Sequence, residues 1–170
     1  MRAVAMACAV AVALCTRPGA TAEAGQACMP VSHSQLEALL PALPGFARNR
    51  PVGKTDTLEA VSRTTVDYEA GAAVVSIELM DSCRNPDMLS QLREFLAQGP
   101  PATSGTVMRS LPIRGFPAYT EWTQESQHGE VHVLVADRFM VKVTGGLVDS
   151  LAVVEGAATA IDLQRLAALK

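Results

Sequence analysis

Aromatic residues are scarce in this chain, which has one tryptophan, two tyrosines and four phenylalanines among its 170 residues. So few aromatic side chains cannot form the stacking platform on which proteins hold single-stranded nucleic acid, and their scarcity also counts against a sugar-binding cleft. The hydrophobic core must therefore consist mainly of valine, leucine, isoleucine, alanine and methionine.

A strong charge of either sign is also missing. The 14 lysines and arginines are nearly balanced by 17 aspartates and glutamates, which gives a net charge of -3. Binding of nucleic acid or anionic lipid requires clustered basic side chains that neutralise phosphates. The densest basic cluster is Arg48, Arg50 and Lys54, in a stretch with proline and glycine that is typical of a solvated turn. We therefore expect no nucleic-acid partner.

Long apolar runs are missing too. The longest one, residues 3–14, is shorter than the about 20 apolar residues that a membrane-spanning helix needs. It follows a positive charge at Arg2, ends before the helix-breaking pair Pro18-Gly19, and precedes a small-x-small site that ends at Ala24. A positive end, an apolar centre and a small-residue cleavage site are typical of a secretory signal peptide.

We therefore predict a signal peptide over residues 1–24 and a single mature domain over residues 25–170. The mature chain is expected in the periplasm or outside the cell, with no transmembrane segment of its own. A domain of this length buries enough surface to fold without help from a metal ion.

Two of the four cysteines, Cys8 and Cys15, lie within or beside the apolar run. The other two, Cys28 and Cys83, would reach an oxidising compartment, so we predict a disulfide between them. An alternative is a lipoprotein subunit of an envelope complex that is anchored at Cys15. Leu14 stands where a lipidation site usually has a small residue, so the lipid anchor is the second choice.

Motifs for enzymatic chemistry are absent as well. The sequence has no G-x-S-x-G and no S-x-x-K, so nothing supports a serine nucleophile. The sequence Gly53-Lys54-Thr55 matches the end of a P-loop, but Arg48 occupies the position of the first P-loop glycine. We therefore predict no catalytic residue, no cofactor and no enzymatic activity.

The sequence does contain regular helical and extended patterns. A capping box from Ser32 to Gln35 indicates a first helix, and apolar spacing predicts further helices over residues 87–98 and from Asp149 onwards. Alternation predicts six strands, over residues 58–68, 73–79, 106–114, 118–125, 130–136 and 139–144. The order α-β-β-α-β-β-β-β-α with short connections predicts an α+β domain, with helices packed on a mostly antiparallel sheet of about six strands.

One group of residues is a candidate metal site. Residues 128–132 read HGEVH, and in an extended strand His128, Glu130 and His132 would share one face of the sheet. Two imidazoles and a carboxylate form a legitimate set of zinc ligands.

The neighbouring strand argues against this metal site. A two-residue turn at Asp137-Arg138 would place Val143 opposite His132, and valine is no metal ligand. We therefore predict that the three residues bind no metal. A metal-binding or metal-dependent protein that uses them is the alternative.

Three segments, residues 113–119 (IRGFPAY), 129–131 (GEV) and 135–139 (VADRF), resemble small exported bacterial proteins and lipoproteins of unassigned function. The element order of those proteins is similar to the PsbP-like α/β/α sandwich, and the resemblance covers residues 113–166. It implies an accessory or binding role in the cell envelope, with an unidentified protein or small-molecule partner. It carries over no catalytic residues.

Overall fold

The computed structural model describes residues 28–83, 85–99 and 105–170. The predicted signal peptide and Cys15 lie outside these residues. None of the described helices is long and apolar enough to span a membrane. In chain order the elements are α1 (His33–Glu37), β1 (Ala47–Arg48), β2 (Val52–Asp56), β3 (Val61–Ala70), β4 (Ala73–Asp81), α2 (Pro86–Gln98), β5 (Thr106–Ile113), β6 (Phe116–Thr123), β7 (His128–Val135), β8 (Phe139–Gly146), α3 (Leu151–Ala160) and α4 (Leu163–Ala167).

The strands form one antiparallel sheet, which confirms the predicted α+β class. Both β1 and β2 pair with the outer edge of β3, and the sheet continues in the order β4, β8, β7, β6 and β5. The predicted count of about six strands is too low, and the predicted order lacks β1, β2 and α4. The two missed strands are short and mostly exposed, and Pro51 and Gly53 interrupt the apolar alternation that would have indicated them.

The helix predicted from Asp149 onwards is divided into two. Ser150 is the residue that precedes α3, and Ile161 at its end is extended. Asp162 then opens α4, because its carboxylate accepts a hydrogen bond from the backbone N–H of Arg165 at 3.0 Å. The first helix begins as predicted, with the capping box of Ser32 and Gln35 formed.

The two faces of the sheet differ in character, because successive side chains of a strand point to opposite sides. The core face is apolar, and α1, α3 and α4 pack on it. The opposite face, hereafter the polar face, is apolar where α2 packs over β6 and β7. The polar strand positions of that face include Arg63, Thr65, Asp67, Ser76, Glu78, Glu121, His128, Glu130, His132, Lys142 and Thr144.

The β7–β8 connection is one residue longer than predicted. Val135 pairs with Phe139, so the loop contains three residues, and the first two, Ala136 and Asp137, have positive φ angles of 52° and 53°. The predicted two-residue turn is therefore wrong. A shift of one residue in the pairing register exchanges the two faces of a strand. The length of this loop therefore decides which side chains of β8 lie beside the candidate metal residues.

Two glycines allow α3 to approach the sheet closely. Gly129 of β7 and Gly145 of β8 are cross-strand partners on the core face. A Cβ atom at Gly145 would lie 2.6 Å from Cγ2 of Val154, and one at Gly129 would lie 3.1 Å from the same atom. Val154 is fully buried, so the glycine pair forms the surface that receives this side chain.

Gly145→Ala is therefore expected to lower the free energy of unfolding by about 1–3 kcal/mol, because a buried valine must move to accommodate the new methyl group. Urea unfolding measures the effect. The adjacent Gly146→Ala is a matched control, since a Cβ there meets nothing within 4 Å. Adding Val154→Ala to Gly145→Ala should cost less than the sum of the two single changes. Equal losses for both glycine variants would contradict this packing interpretation.

The predicted disulfide between Cys28 and Cys83 is confirmed, with the two Cα atoms 5.6 Å apart. Beside it lies a buried ion pair, in which the fully buried Asp81 accepts hydrogen bonds of 2.8 and 2.7 Å from the guanidinium group of Arg138. The same carboxylate accepts bonds of 2.8 Å from the backbone N–H groups of Val31 and Cys83. The N-terminal arm, the end of β4 and the β7–β8 loop therefore meet at one carboxylate.

Candidate functional site

The three candidate metal residues lie on the polar face of β7, as the extended pattern predicts. β7 pairs with β6 on one side and with β8 on the other, so its backbone is held in the middle of the sheet. Because the side-chain period of a strand is two, His128, Glu130 and His132 follow one another along the same face.

These residues form a hydrogen-bonded group together with Lys142, hereafter the Glu130 cluster. One carboxylate oxygen of Glu130 lies 3.2 Å from Nε2 of His128. The other lies 2.8 Å from Nε2 of His132 and 3.0 Å from Nζ of Lys142. All three neighbours of the carboxylate are thus groups that donate protons or carry positive charge.

The neighbours of Glu130 strongly favour its ionised form. Hydrogen bonds from His132, and then from Lys142 and His128, lower the pKa of Glu130 to about 2, against the opposing effect of its burial. A general base works best with a pKa near the working pH, so Glu130 is poorly suited to abstract a proton at neutral pH.

Lys142 is the member of the cluster that the sequence analysis missed. It lies directly opposite His132, at the position that the two-residue turn assigned to Val143. The expectation of an apolar neighbour is therefore wrong, and the neighbour is a cation. Because Lys142 alternates with the buried Val141 and Val143, the sequence pattern already places it on the opposite face of β8 from the two valines. The length of the β7–β8 loop was the further information needed to place it beside His132.

His132 is also held by aromatic packing. Its ring stacks on that of Tyr119 with centroids 4.5 Å apart and planes at 7°, and Tyr119 in turn stacks on Phe95 of α2 at 5.4 Å. Burial, with a smaller contribution from the nearby Glu130, raises the pKa of Tyr119 to about 12. The phenol is therefore neutral and serves as a packing surface that orients the imidazole.

A metal ion would have to compete with these contacts. The Nε2 atoms of both histidines point to the carboxylate, and the ammonium group of Lys142 adds positive charge where a cation would have to enter. In the part of the chain that the structure describes, no group of three or more histidine, cysteine, aspartate or glutamate residues is arranged to hold a metal ion. The arrangement acts chemically as a local charge network across β7 and β8.

Glu130 is expected to make the fold acid-sensitive. Its pKa of about 2 in the folded protein lies below the ordinary value of 4.5, so its contribution to stability is fully present above about pH 4.5 and is lost as the pH falls towards 2. We expect a loss of ~1–3 kcal/mol over that range. Urea unfolding of the wild type and Glu130→Gln between about pH 5 and about pH 2 measures it.

The difference in stability between the wild type and Glu130→Gln should shrink as the solution is acidified. Glu121→Gln is the control, because Glu121 lies directly opposite Glu130 on the same face but forms no ion pair with a described residue. Parallel losses in the wild type and Glu130→Gln would show that another group is responsible.

The sequence Gly53-Lys54-Thr55 has a structural use at the contact between α1 and β2. A Cβ atom at Gly53 would come within 2.8 Å of the ring of His33. The hydroxyl group of Thr55 accepts a hydrogen bond of 2.8 Å from the backbone N–H of His33 and lies 3.2 Å from its Nδ1. Gly53 and Thr55 therefore position the first turn of α1, whereas Lys54 points to the polar face and pairs with Asp56 at 2.9 Å.

Comparison of the chain with protein-family models, with curated proteins and with solved structures finds no match.

Proposed function

We propose that the chain is an exported, non-enzymatic accessory or binding protein of the bacterial cell envelope, and that the polar face of its sheet contacts the partner. The observation that carries the proposal is the disulfide between Cys28 and Cys83, because such bonds persist in oxidising compartments outside the cytoplasm. The signal-like residues 1–24 and the resemblance of residues 113–166 to small exported proteins support the same location.

A binding role is also supported by the chemistry of the polar face. Its most connected carboxylate, Glu130, has a pKa of about 2 and contacts three donors, so it acts as a structural ion-pair centre. The neighbouring strand positions offer hydroxyl, carboxylate and guanidinium groups to solvent. Side chains on strands are held in place more precisely than side chains on loops, which suits a binding surface.

Export is tested by expressing the full chain in a bacterial host and measuring the intact mass of the protein in each cell fraction. We expect a periplasmic chain that lacks about 24 residues and whose two remaining cysteines are joined. A matched variant, Val10→Glu, places a charge in the apolar run and should retain the full-length chain in the cytoplasm. Cytoplasmic, full-length wild-type protein with free thiols would contradict the proposal.

The lipoprotein alternative is decided by the same mass. If the chain begins at a diacylated Cys15 and sediments with membranes, the protein is anchored to the membrane and is not free in the periplasm. Cys15→Ala should then release the protein, whereas it should leave a normally processed chain unchanged.

The metal-binding alternative is favoured by one observation, the convergence of His128, Glu130 and His132 within 3.2 Å on one face. Its test is the zinc content of the purified mature protein after incubation with zinc. We expect no stoichiometric zinc, because Lys142 already neutralises the carboxylate. Stoichiometric zinc that disappears in His132→Ala would establish the metal-binding alternative.

A further inference from the structure

The sheet has an exposed edge at β5. This strand has eight residues and pairs with β6, and among the described residues no strand pairs with its outer side. The opposite end of the sheet consists of β1 and β2, which have only two and five residues, and α1 contacts β2. Very short strands protect a sheet edge, whereas a longer strand presents a row of unpaired backbone groups. β5 is therefore the edge to which a further strand can be added.

Two prolines of the β5–β6 hairpin decide which backbone groups of β5 point outwards. Pro112 lies opposite Pro117, and because proline has no N–H this pair cannot exchange backbone hydrogen bonds. Hydrogen-bonded and non-hydrogen-bonded pairs alternate along an antiparallel ladder. Every second residue from Pro112 therefore directs its N–H away from the sheet, and these residues are Ser110, Met108 and Thr106.

The outward N–H groups of β5 are unused within the described part of the chain. None of the three donates a hydrogen bond to the backbone or a side chain of another described residue. The carbonyl groups of the same residues also point outwards, so the edge alternates donors and acceptors. In the single chain water binds these groups, and an added strand can replace that water.

A second copy of β5 complements this edge. When two β5 strands pair antiparallel about a two-fold axis, Met108 can lie opposite Met108 of the second copy and Thr106 opposite Ser110. In this register every outward N–H of each chain meets an outward carbonyl of the other. The edge is thus its own complement.

The neighbouring registers are less favourable. An axis at Arg109 would place two arginines directly opposite each other and would bring Pro112, which has no N–H to donate, into the pairing. An axis at Val107 would move Ser110 beyond the end of the opposing β5. Charge and hydrogen bonding therefore both select the axis at Met108.

The side chains also fit the axis at Met108. Val107 of each chain then lies opposite Arg109 of the other. Val107 is 49% exposed in the single chain, and the aliphatic part of arginine can cover it while the guanidinium group stays in water. Met108 is a partly buried neighbour of the apolar cluster under α2, and its own copy would extend that cluster across the axis.

We propose that two copies of this chain associate through β5 in this register, which joins their sheets into one continuous antiparallel sheet. The association goes beyond the proposed contact of the polar face with a partner and does not depend on it. One pair of short strands buries less surface than a standard protein interface, so the dimer is weak, with a dissociation constant in the micromolar range.

The first test combines sedimentation velocity of the mature protein over a range of concentrations with amide hydrogen exchange. We expect a reversible monomer–dimer equilibrium. The amides of Thr106, Met108 and Ser110 should exchange about tenfold more slowly when about nine-tenths of the chains are dimeric. The amides of β7 and β8 should be protected equally at all concentrations, because their hydrogen bonds lie within one chain.

The register is tested by a matched pair of variants, Val107→Glu and Val107→Lys. Both remove the same valine, but glutamate would face Arg109 of the second copy with opposite charge and lysine would face it with like charge. The two sites of the symmetric dimer add, so Val107→Glu should dimerise at least about tenfold more tightly than Val107→Lys. Weaker dimers in both variants would contradict the register, because an axis at Val107 makes either pair repulsive.

The backbone contribution is tested by Met108→Pro with Met108→Ala as its control. Both variants lose the thioether side chain, but only proline removes the outward N–H, so we expect Met108→Pro to be monomeric and Met108→Ala to retain a dimer. Protection of the β7 and β8 amides shows that each variant is folded. A wild type that stays monomeric up to about 1 mM, or a dimer whose β5 amides remain unprotected, would overturn the proposal.

Discussion

Replacing Arg138 with glutamine is expected to lower the free energy of unfolding by about 3–5 kcal/mol, the range for breaking a buried ion pair from one side. Asp81 is fully buried and receives two of its four hydrogen bonds from the guanidinium group of Arg138. Without that group the carboxylate keeps only the backbone N–H groups of Val31 and Cys83. A buried charge that is left without its partner cannot be compensated by water.

Urea unfolding of the oxidised protein measures this loss, with the exposed Arg109→Gln as a control for the removal of one positive charge. The double variant Asp81→Asn, Arg138→Gln should be more stable than the sum of the two single losses implies, because it removes the unpaired charge. Strictly additive losses would mean that the two side chains do not interact in the folded state.

Reduction of the disulfide is expected to cost about 4 kcal/mol, from the entropy that the cross-link removes from the unfolded chain. Cys28 and Cys83 are 55 residues apart, so the closed loop includes α1 and the first four strands. The measurement is urea unfolding with and without a reductant. The N-terminal arm is also held by two hydrogen bonds, from the backbone N–H of Val31 to Asp81 and from Arg138 to the carbonyl oxygen of Met29.

The double variant Cys28→Ala, Cys83→Ala is the control for reduction. It should have about the stability of the reduced wild type and should not respond to the reductant. A change of less than about 1 kcal/mol on reduction of the wild type would mean that the unfolded chain is not constrained by this loop.

Features of the fold that depend on near neighbours could be predicted from the sequence. The capping box of Ser32 and Gln35 forms because both partners belong to one turn of chain. The apolar alternation that ends near Tyr68 indicates β3, since buried and exposed positions alternate along it. In β2 no such alternation exists, because the strand lies at one edge of the sheet and its first three residues are exposed. The sequence pattern therefore did not predict this strand.

The helix α2 shows what apolar spacing in the sequence can predict about a helix and what it cannot. The apolar spacing of residues 87–98 was sufficient to predict a helix, but not to predict which of its apolar residues are buried: Met88 is 38% exposed, whereas Leu89 is fully buried. A helix with several leucines has more than one plausible apolar face. The choice between them depends on the partner surface, here Tyr119 and Leu134 of the sheet.

The candidate site was predicted in part. That His128, Glu130 and His132 share a face follows from the strand period alone. The identity of their neighbour does not, because it depends on the length of the β7–β8 loop. Ala136 and Asp137 adopt left-handed conformations that are unfavourable for residues with a side chain, by about 1–2 kcal/mol each.

Contacts from distant parts of the chain hold that loop in place. Asp137 pairs with Arg93 of α2 at 2.8 Å, and Arg138 pairs with Asp81 of β4. These partners are 44 and 57 residues away along the chain. They offset the backbone cost of a three-residue loop, and that loop places Lys142 beside Glu130.

By itself, the sequence determined the α+β class, the pairing of Cys28 with Cys83 and the common face of three polar residues. Each of these follows from local periodicity or from simple counting of cysteines. The tertiary structure decided the burial of Asp81 and the ion pairs of Glu130. These depend on register and on long-range packing, where a shift of one residue exchanges the two faces of a strand.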